Sequence, residues 1–162
     1  MYEDAAIDQA VEGVVNGIFF NQGHVCCAGS RLLLQESIHD EFVAKLEKRM
    51  QTLRVGNPLD KNTDIGAINS KEQLNKIEGL VNEGVSDGGK IFQTECELPG
   101  NGFWFKPTLF TDVQPSYSIA REEIFGPVLT TLTFRTTQEA VEIANNTAVS
   151  YTHLTLPTSH CV

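Results

Sequence analysis

A repeated alternation of helix-like and strand-like apolar patterns limits the fold of this chain more than any other feature. In the stretch AAIDQAVEGVVNGIFF, apolar residues recur every three or four positions, which predicts an amphipathic helix. The following run RLLLQ, from Arg31 to Gln35, is short, apolar and bounded by polar residues, as expected of a buried strand. Because such units repeat, we predict an α/β fold with a doubly wound, mostly parallel sheet and helices on both faces.

Further helices and strands are predicted downstream. Ser37 and Ser70 are expected to cap the helices IHDEFVAKLEKRMQTL and KEQLNKIEGLVNEGVSDGG, and Thr137 opens the last helix. The stretches KIFQTE, FWFKPTLFTDV and GPVLTTLTF carry strand patterns. Asp4 is the expected N-cap of the first helix, which starts so early that we expect the chain to open in the middle of a domain.

The charge balance argues against some classes of partner. The chain has 21 acidic and 12 basic residues, a net charge of −9, whereas nucleic-acid binding needs a basic face. No apolar run approaches the roughly 20 residues that cross a bilayer, and the acidic start lacks the order of a secretory signal. We therefore expect no nucleic acid and no membrane as partners, and a cytoplasmic protein.

The cysteines are Cys26, Cys27, Cys96 and Cys161. Their spacing matches neither paired CxxC metal motifs nor a dense disulfide framework, so we predict reduced thiols and no metal site. Two of them stand side by side in NQGHVCCAGSR, a loop between the first helix and RLLLQ. Either this is a buried corner in which cysteine serves as a small hydrophobe, or one sulfur is a nucleophile. A thiol at a turn of a doubly wound sheet lies where such folds place ligands, which favours the nucleophile.

FFNQGHVCCAGSR resembles the active-site signature of the aldehyde dehydrogenase superfamily, whose form is Gly, Gln or Glu, any residue, Cys, a small residue, Ala. That register places the nucleophile at Cys26 and leaves Cys27 as the small residue. EEIFGPV, from Glu122 to Val128, is similar to the family's second motif and follows in the expected order. The resemblance extends from about Tyr2 to Thr147 and includes VGNPLD and FKPTLF. We therefore interpret residues 1–147 as part of an aldehyde dehydrogenase catalytic domain.

The resemblance implies an enzyme that oxidises aldehydes to carboxylic acids with NAD or NADP. The Cys26 thiolate attacks the aldehyde carbonyl to give a thiohemiacetal, whose oxyanion is held by the Cys26 N–H and an Asn side chain. Hydride passes to the nicotinamide, and a base-activated water hydrolyses the resulting thioester. The implied partner is a small-molecule aldehyde, and the longer parent protein is expected to be a homo-oligomer.

The second motif carries the cofactor contacts that the resemblance implies. Glu123 corresponds to the residue that binds the nicotinamide ribose hydroxyls, and Phe125 to the residue that packs near the ring. Without the family match, Glu122 and Glu123 would suit an ordinary solvated turn.

The chain departs from the family pattern in two respects. Residue 24 is His, where the motif usually has Gln or Glu. The glycine-rich nucleotide-binding region, the oxyanion Asn, the cofactor-gripping Lys and the general-base Glu are expected in a segment before residue 1. We therefore expect this 162-residue chain to be an incomplete domain of a longer parent enzyme, poorly folded and inactive with acetaldehyde or propanal.

The end of the chain, AVSYTHLTLPTSHCV, does not continue the preceding pattern. Residues 148–158 resemble the translation of a sequencing-library adapter, and the alternative is an ordinary Thr-rich strand. We therefore predict that residues 148–162 are an artefact and not native, and we give His160 and Cys161 no weight.

Two other functions stay open. RLLLQESIHDEF and KLEKRMQTLRVGNPLD are similar to the family-16 branch, which has a duplicated domain and includes members that lack the cysteine, so a non-catalytic scaffold is one alternative. A thiol hydrolase is the other, with His24 as a general base beside Cys26, as in thiol proteases. The presence of Cys26 favours the dehydrogenase.

Overall fold

The computed structural model describes residues 1–146, which contain five α-helices and four β-strands. The helices are α1 (Ile7–Phe19), α2 (His39–Met50), α3 (Lys71–Ser86), α4 (Ser118–Arg121) and α5 (Thr137–Asn145). The strands are β1 (Arg31–Gln35), β2 (Lys90–Gln93), β3 (Thr108–Thr111) and β4 (Val128–Phe134). Short 3₁₀ turns at Phe20–Gly23 and Glu36–Ile38 follow α1 and β1. The segment predicted to be adapter-like, 148–162, lies outside the described residues.

The four strands form one sheet in the order β1-β4-β3-β2. Strand β4 pairs in parallel with both β1 and β3, with Leu33 opposite Leu132 and Leu109 opposite Leu129. Strand β2 is antiparallel to β3 and forms an edge. The predicted mostly parallel sheet is therefore confirmed, and the antiparallel edge strand is a feature that the sequence patterns did not indicate.

Apolar side chains on alternate strand positions build a separate core on each face of the sheet. On one face, Leu109 and Leu129 pack in the same cluster as the buried stripes of α1 and α2. On the other face, the neighbouring positions Phe110 and Val128 pack with α3 and α4. Helices on both faces are thus confirmed, as expected when strand residues alternate between two buried sides.

Buried threonines in the sheet have hydrogen-bond partners. The Thr131 hydroxyl donates to the Phe110 carbonyl at 2.9 Å, and the Thr108 hydroxyl donates to the Lys106 carbonyl at 2.8 Å. These bonds satisfy polar atoms that would otherwise be costly to bury.

The predicted helix caps are partly wrong. Ala6 precedes α1 without a side-chain bond, so Asp4 is not its N-cap. Ser37 lies inside a 3₁₀ turn and its hydroxyl donates to Glu3 at 3.1 Å, so it does not cap α2. Ser70 does cap α3, because its oxygen accepts from the N–H of Gln73 at 3.1 Å.

Strand β3 is shorter than its pattern suggested, spanning four residues of FWFKPTLFTDV. Pro107 immediately precedes it and has no N–H to donate to a neighbouring strand, which limits the ladder on that side. Within residues 1–146, no helix is long and apolar enough to cross a membrane.

Candidate active site

The loop that carries the paired cysteines begins with a sharp reversal at the end of α1. Asn21, Gln22 and Gly23 have positive φ angles of 49°, 50° and 73°, a conformation that residues with a side chain adopt at a cost. The His24 N–H donates to the Asn21 carbonyl at 2.9 Å, and the Asn21 side-chain amide donates to the His24 carbonyl at 3.1 Å. This pair of bonds closes the reversal and sends the chain towards β1.

Cys26 and Cys27 occupy a second turn, and both are exposed. The turn is closed by a bond from the Ala28 N–H to the Val25 carbonyl at 2.9 Å. Among the described residues the Cys26 N–H donates no hydrogen bond. Within residues 1–146, therefore, the two cysteines do not fill a buried corner.

The far end of the cysteine loop is fixed to the rest of the fold. The Gly29 N–H donates to the Gly17 carbonyl of α1 at 3.0 Å. The Ser30 carbonyl accepts from the Thr130 N–H at 2.9 Å and from the Thr130 hydroxyl at 3.2 Å. Helix α1 and strand β4 thus hold the segment that follows the thiols.

The second motif forms a turn that leads into β4. Glu122 and Glu123 are exposed, Ile124 is buried and Phe125 is half-buried with a φ of 53°. The turn is held from α3, because the side-chain amide of Gln73 donates to the Ile124 carbonyl at 2.8 Å and to the Phe125 carbonyl at 3.0 Å.

The two motifs are in direct contact. A Cβ atom placed on Gly23 would lie 2.1 Å from the carbonyl oxygen of Gly126, so the two backbones meet with no room for a side chain. The ring of His24 stacks on the ring of Phe125, with centroids 5.3 Å apart and planes 7° from parallel. Segments about a hundred positions apart in the sequence therefore lie side by side and form one candidate site.

Strand pairing explains why these loops meet. Arg31 pairs with Thr130 in parallel strands β1 and β4, so the segments that precede both residues lie at the same edge of the sheet. This is the amino-terminal edge. The expectation that the thiol lies where doubly wound folds usually hold ligands, outside the carboxyl ends of the strands, is therefore wrong for this sheet.

His24 is the titratable residue at the centre of this contact. Its Nε2 atom is buried and has no hydrogen-bond partner among residues 1–146. Burial lowers the pKa of His24 below its ordinary value, because the surroundings disfavour the charged ring. The ring thus offers a flat surface against Phe125, and no hydrogen bond joins it to Cys26 in the described part of the chain.

The sequence-predicted residues take different positions in this site. Cys26 lies on the exposed turn, and Phe125 contacts the cysteine loop through His24. Glu123 extends from the exposed start of the turn, and its carboxylate has no hydrogen-bond partner within residues 1–146. Gln73 was missed, because its position three residues after Ser70 is typical of a local capping residue. Within residues 1–146, no group of His, Cys, Asp and Glu is placed to hold a metal ion.

The α/β sheet thus brings an exposed cysteine turn and a Gly-Pro turn together at its amino-terminal edge. The family model described as "Aldehyde dehydrogenase family" matches residues 1–153. The chain belongs to the aldehyde dehydrogenase family. The match extends beyond residue 147, and the boundary drawn there between native and adapter-like sequence stays a prediction.

Known proteins similar to this chain are aldehyde dehydrogenases. It is 44% identical over 149 residues to retinal dehydrogenase 2 of Homo sapiens, covering 90% of this chain and 28% of that protein. It is 40% identical over 152 residues to betaine aldehyde dehydrogenase of Bacillus subtilis, covering 91% and 31%. The chain therefore spans about three-tenths of the length of these relatives.

Solved structures agree with this assignment. An NAD-dependent aldehyde dehydrogenase from Sinorhizobium meliloti is 41% identical and superposes with a TM-score of 0.86, covering 90% of this chain and 29% of that one. Betaine aldehyde dehydrogenase from Staphylococcus aureus, solved in complex with NAD+, is 38% identical with a TM-score of 0.85, covering 90% and 30%. The family assignment from the two motifs is thus confirmed, and the narrower resemblance to the family-16 branch stays a prediction.

Proposed function

We propose that this chain is part of a longer parent enzyme that oxidises aldehydes to carboxylic acids with NAD or NADP, and that Cys26 is its nucleophile. The observation that carries the proposal is the contact between the cysteine loop and the EEIFGPV turn, through Gly23 against Gly126 and His24 against Phe125. We further propose that the parent enzyme is a homo-oligomer and that it is cytoplasmic, the latter in keeping with the free thiols of Cys26, Cys27 and Cys96 within residues 1–146.

The Cys26 thiolate would form a bond to the aldehyde carbon, and the carbonyl oxygen would take up negative charge. The exposed position of the thiol gives a small aldehyde access to it. The Cys26 N–H, which has no acceptor among the described residues, is available to donate to that oxygen. Once that carbon has lost its hydride to bound NAD or NADP, Cys26 would carry the acyl group as a thioester, and water would release it as the carboxylic acid and restore the thiol.

Residues of the second motif suit a nicotinamide cofactor. When bound, NAD or NADP supplies the hydride acceptor for the oxidation. A carboxylate can accept hydrogen bonds from two neighbouring ribose hydroxyls, and the carboxylate of Glu123 is exposed and unpartnered within residues 1–146. Phe125 offers an aromatic surface, and the His24 ring stacks against the Phe125 ring and supports it.

Replacing Glu123 with Gln in the parent enzyme is expected to raise the KM for NAD+ about tenfold while kcat changes little. The substitution keeps the shape of the side chain but exchanges a charged acceptor for a neutral one, a loss of roughly 1.4 kcal/mol of binding. Steady-state kinetics with NAD+ as the varied substrate measure the effect.

Glu122→Gln is the matched control for Glu123, because the two glutamates are adjacent and both exposed. We expect its KM for NAD+ to stay within about twofold of wild type. Equal effects of the two substitutions, or an effect confined to Glu122, would remove Glu123 from the cofactor site.

Replacing His24 with Gln is expected to leave kcat/KM for aldehyde oxidation within about threefold of wild type. His24 lies against Phe125 and makes no hydrogen bond to Cys26 in the described residues, so it is not arranged as a base for the thiol. A rate assay on the parent enzyme measures the ratio. A loss on the order of a thousandfold would support the thiol hydrolase alternative instead.

A further inference from the structure

Gln73 makes two separate connections near the start of α3. Its backbone N–H donates to the Ser70 hydroxyl oxygen at 3.1 Å and so caps the helix. Its side-chain NH₂ group donates to the carbonyls of Ile124 and Phe125, at 2.8 and 3.0 Å. The first connection is local, whereas the second reaches residues 51 and 52 positions further along the chain.

The side chain of Gln73 makes these distant hydrogen bonds instead of a local hydrogen bond within the helix cap. Ser70 and Gln73 have the spacing of a capping box, in which the Gln side chain would reach back to the N–H of the capping Ser. In this structure the amide points instead to the turn of the second motif, here named the cofactor turn, residues 123–126. This geometry indicates that the side-chain amide of Gln73 stabilises the turn and not the helix.

The cofactor turn has a conformation that needs support. Two consecutive carbonyls, those of Ile124 and Phe125, converge on one NH₂ group, and Phe125 has a φ of 53°. Among the described residues no other donor contacts these two carbonyl oxygens. Helix α3 also supports the turn from below, because a Cβ on Gly126 would lie 2.5 Å from the Ile77 side chain.

We propose that Gln73 is a positioning residue for the nicotinamide cofactor, acting through the backbone of the cofactor turn. This inference rests on the proposed function. The two bonds fix the directions in which Glu123 and Phe125 leave the backbone, and both side chains are the ones suited to the cofactor. The segment that follows the thiols has its own anchors, Gly29 on α1 and Ser30 on β4, which do not pass through Gln73.

Gln73→Glu and Gln73→Met separate this role from a role in the helix. Both keep the backbone N–H that bonds Ser70, and both have nearly the volume of Gln. Glu at the third helical position is favourable for the helix, because it suits the capping box and the helix dipole. In the cofactor turn, however, a carboxylate would face two carbonyl oxygens without a proton to donate. A positioning role therefore predicts that Glu is the worse substitution, and a helix role predicts that it is harmless.

Gln9→Met is the matched control. Gln9 is the third residue of α1, as Gln73 is the third residue of α3, and its exposed side chain makes no hydrogen bond within residues 1–146.

The test combines cofactor binding, thiol reactivity and hydrogen exchange in the parent enzyme. For Gln73→Met we expect the dissociation constant and KM for NAD+ to rise about tenfold, and for Gln73→Glu further still. The kcat and the rate of Cys26 alkylation by iodoacetamide without NAD+ should stay within about threefold. Amides of residues 122–128 should exchange faster in both variants, while Gln9→Met matches wild type in every measurement.

Three results would overturn the proposal. The first is wild-type hydrogen exchange at residues 122–128 in both variants, and the second is an NAD+ affinity of Gln73→Glu equal to or better than that of wild type. The third is a loss of Cys26 alkylation as large as the loss of NAD+ affinity. If the wild-type parent binds no NAD+, the proposed function fails by itself. The exchange measurement then still decides whether Gln73 holds the turn, and unchanged exchange rejects it.

Discussion

The parent enzyme with Cys26 replaced by Ala is expected to oxidise aldehydes on the order of 10³- to 10⁶-fold more slowly than wild type. Without the sulfur no covalent bond to the aldehyde carbon can form, so the remaining rate comes only from binding and orientation. The measurement is NADH formation under saturating aldehyde and NAD+, with near-wild-type NAD+ affinity as the check that the protein is folded.

Cys27→Ala is a closely matched control, because Cys27 is adjacent to Cys26 and lies on the same exposed turn. We expect it to retain at least about a third of the wild-type rate, since a small side chain is all that the position requires. If Cys27→Ala were inactive and Cys26→Ala active, the register of the motif would be wrong by one residue. Wild-type oxidation by Cys26→Ala would remove the nucleophile altogether.

Iodoacetamide labelling extends the same test to the non-catalytic alternative. A nucleophilic Cys26 should be modified faster than Cys96, which is partly buried and accepts a bond from the Thr94 hydroxyl at 3.3 Å. Slow, unselective labelling of Cys26 together with absent turnover in the wild-type parent would favour the scaffold.

The fold class was predictable from the sequence because it depends on hydrophobic patterns that extend over whole helices and strands. The spacing of Phe42, Leu46 and Met50 places three apolar residues on one side of α2, and all three are buried. RLLLQ is short and apolar, and it forms the strand that pairs in parallel with β4, with Leu32 and Leu34 buried. Such periodicities reflect the burial of whole faces, which accounts for much of the stability of a domain.

The contacts that build the site were less predictable, because each depends on partners far away in the sequence. Ser37 has a residue type suited to an N-cap, yet its hydroxyl donates to Glu3, which the fold brings alongside. Gln73 has the spacing of a capping box, yet its amide bonds the cofactor turn. A local pattern reports which bonds a side chain can make, and the tertiary structure decides which one it does make.

Both motifs were recognised from the sequence, but the edge of the sheet at which they meet was not predicted. The thiol was expected at a turn where doubly wound folds place ligands, but such folds place them outside the carboxyl ends of the strands, whereas both motifs precede their strands. Only the pairing of β1 with β4 reveals this, because strand order follows from long-range packing that a linear pattern does not encode.

Replacing Gly23 with Ala is expected to destabilise the protein by roughly 3 kcal/mol or more and to lower the aldehyde oxidation rate at least about a hundredfold. Two costs combine at this position. The φ of Gly23 is +73°, which disfavours any L side chain, and the added Cβ would lie 2.1 Å from the oxygen and 2.5 Å from the carbon of the Gly126 carbonyl. Both atoms belong to backbone, so neither can rotate away as the end of a side chain could.

The loss of activity should exceed what the loss of stability alone produces. Relief of the clash requires the cysteine loop and the cofactor turn to separate, which also breaks the stacking of His24 on Phe125. A displacement of about 1 Å between reacting groups is enough to cost on the order of a hundredfold in rate. Thermal unfolding and turnover of the parent enzyme, the latter measured well below the unfolding midpoint, separate the two effects.

Gly29→Ala is the control for the same loop. A Cβ on Gly29 meets no atom within 4 Å, and its φ is outside the left-handed region. We expect its stability to stay within about 0.5 kcal/mol of wild type and its activity to be unchanged. If Gly23→Ala were as well tolerated as Gly29→Ala, the two backbones would not meet as described, and the single site built from both motifs would lose its physical basis.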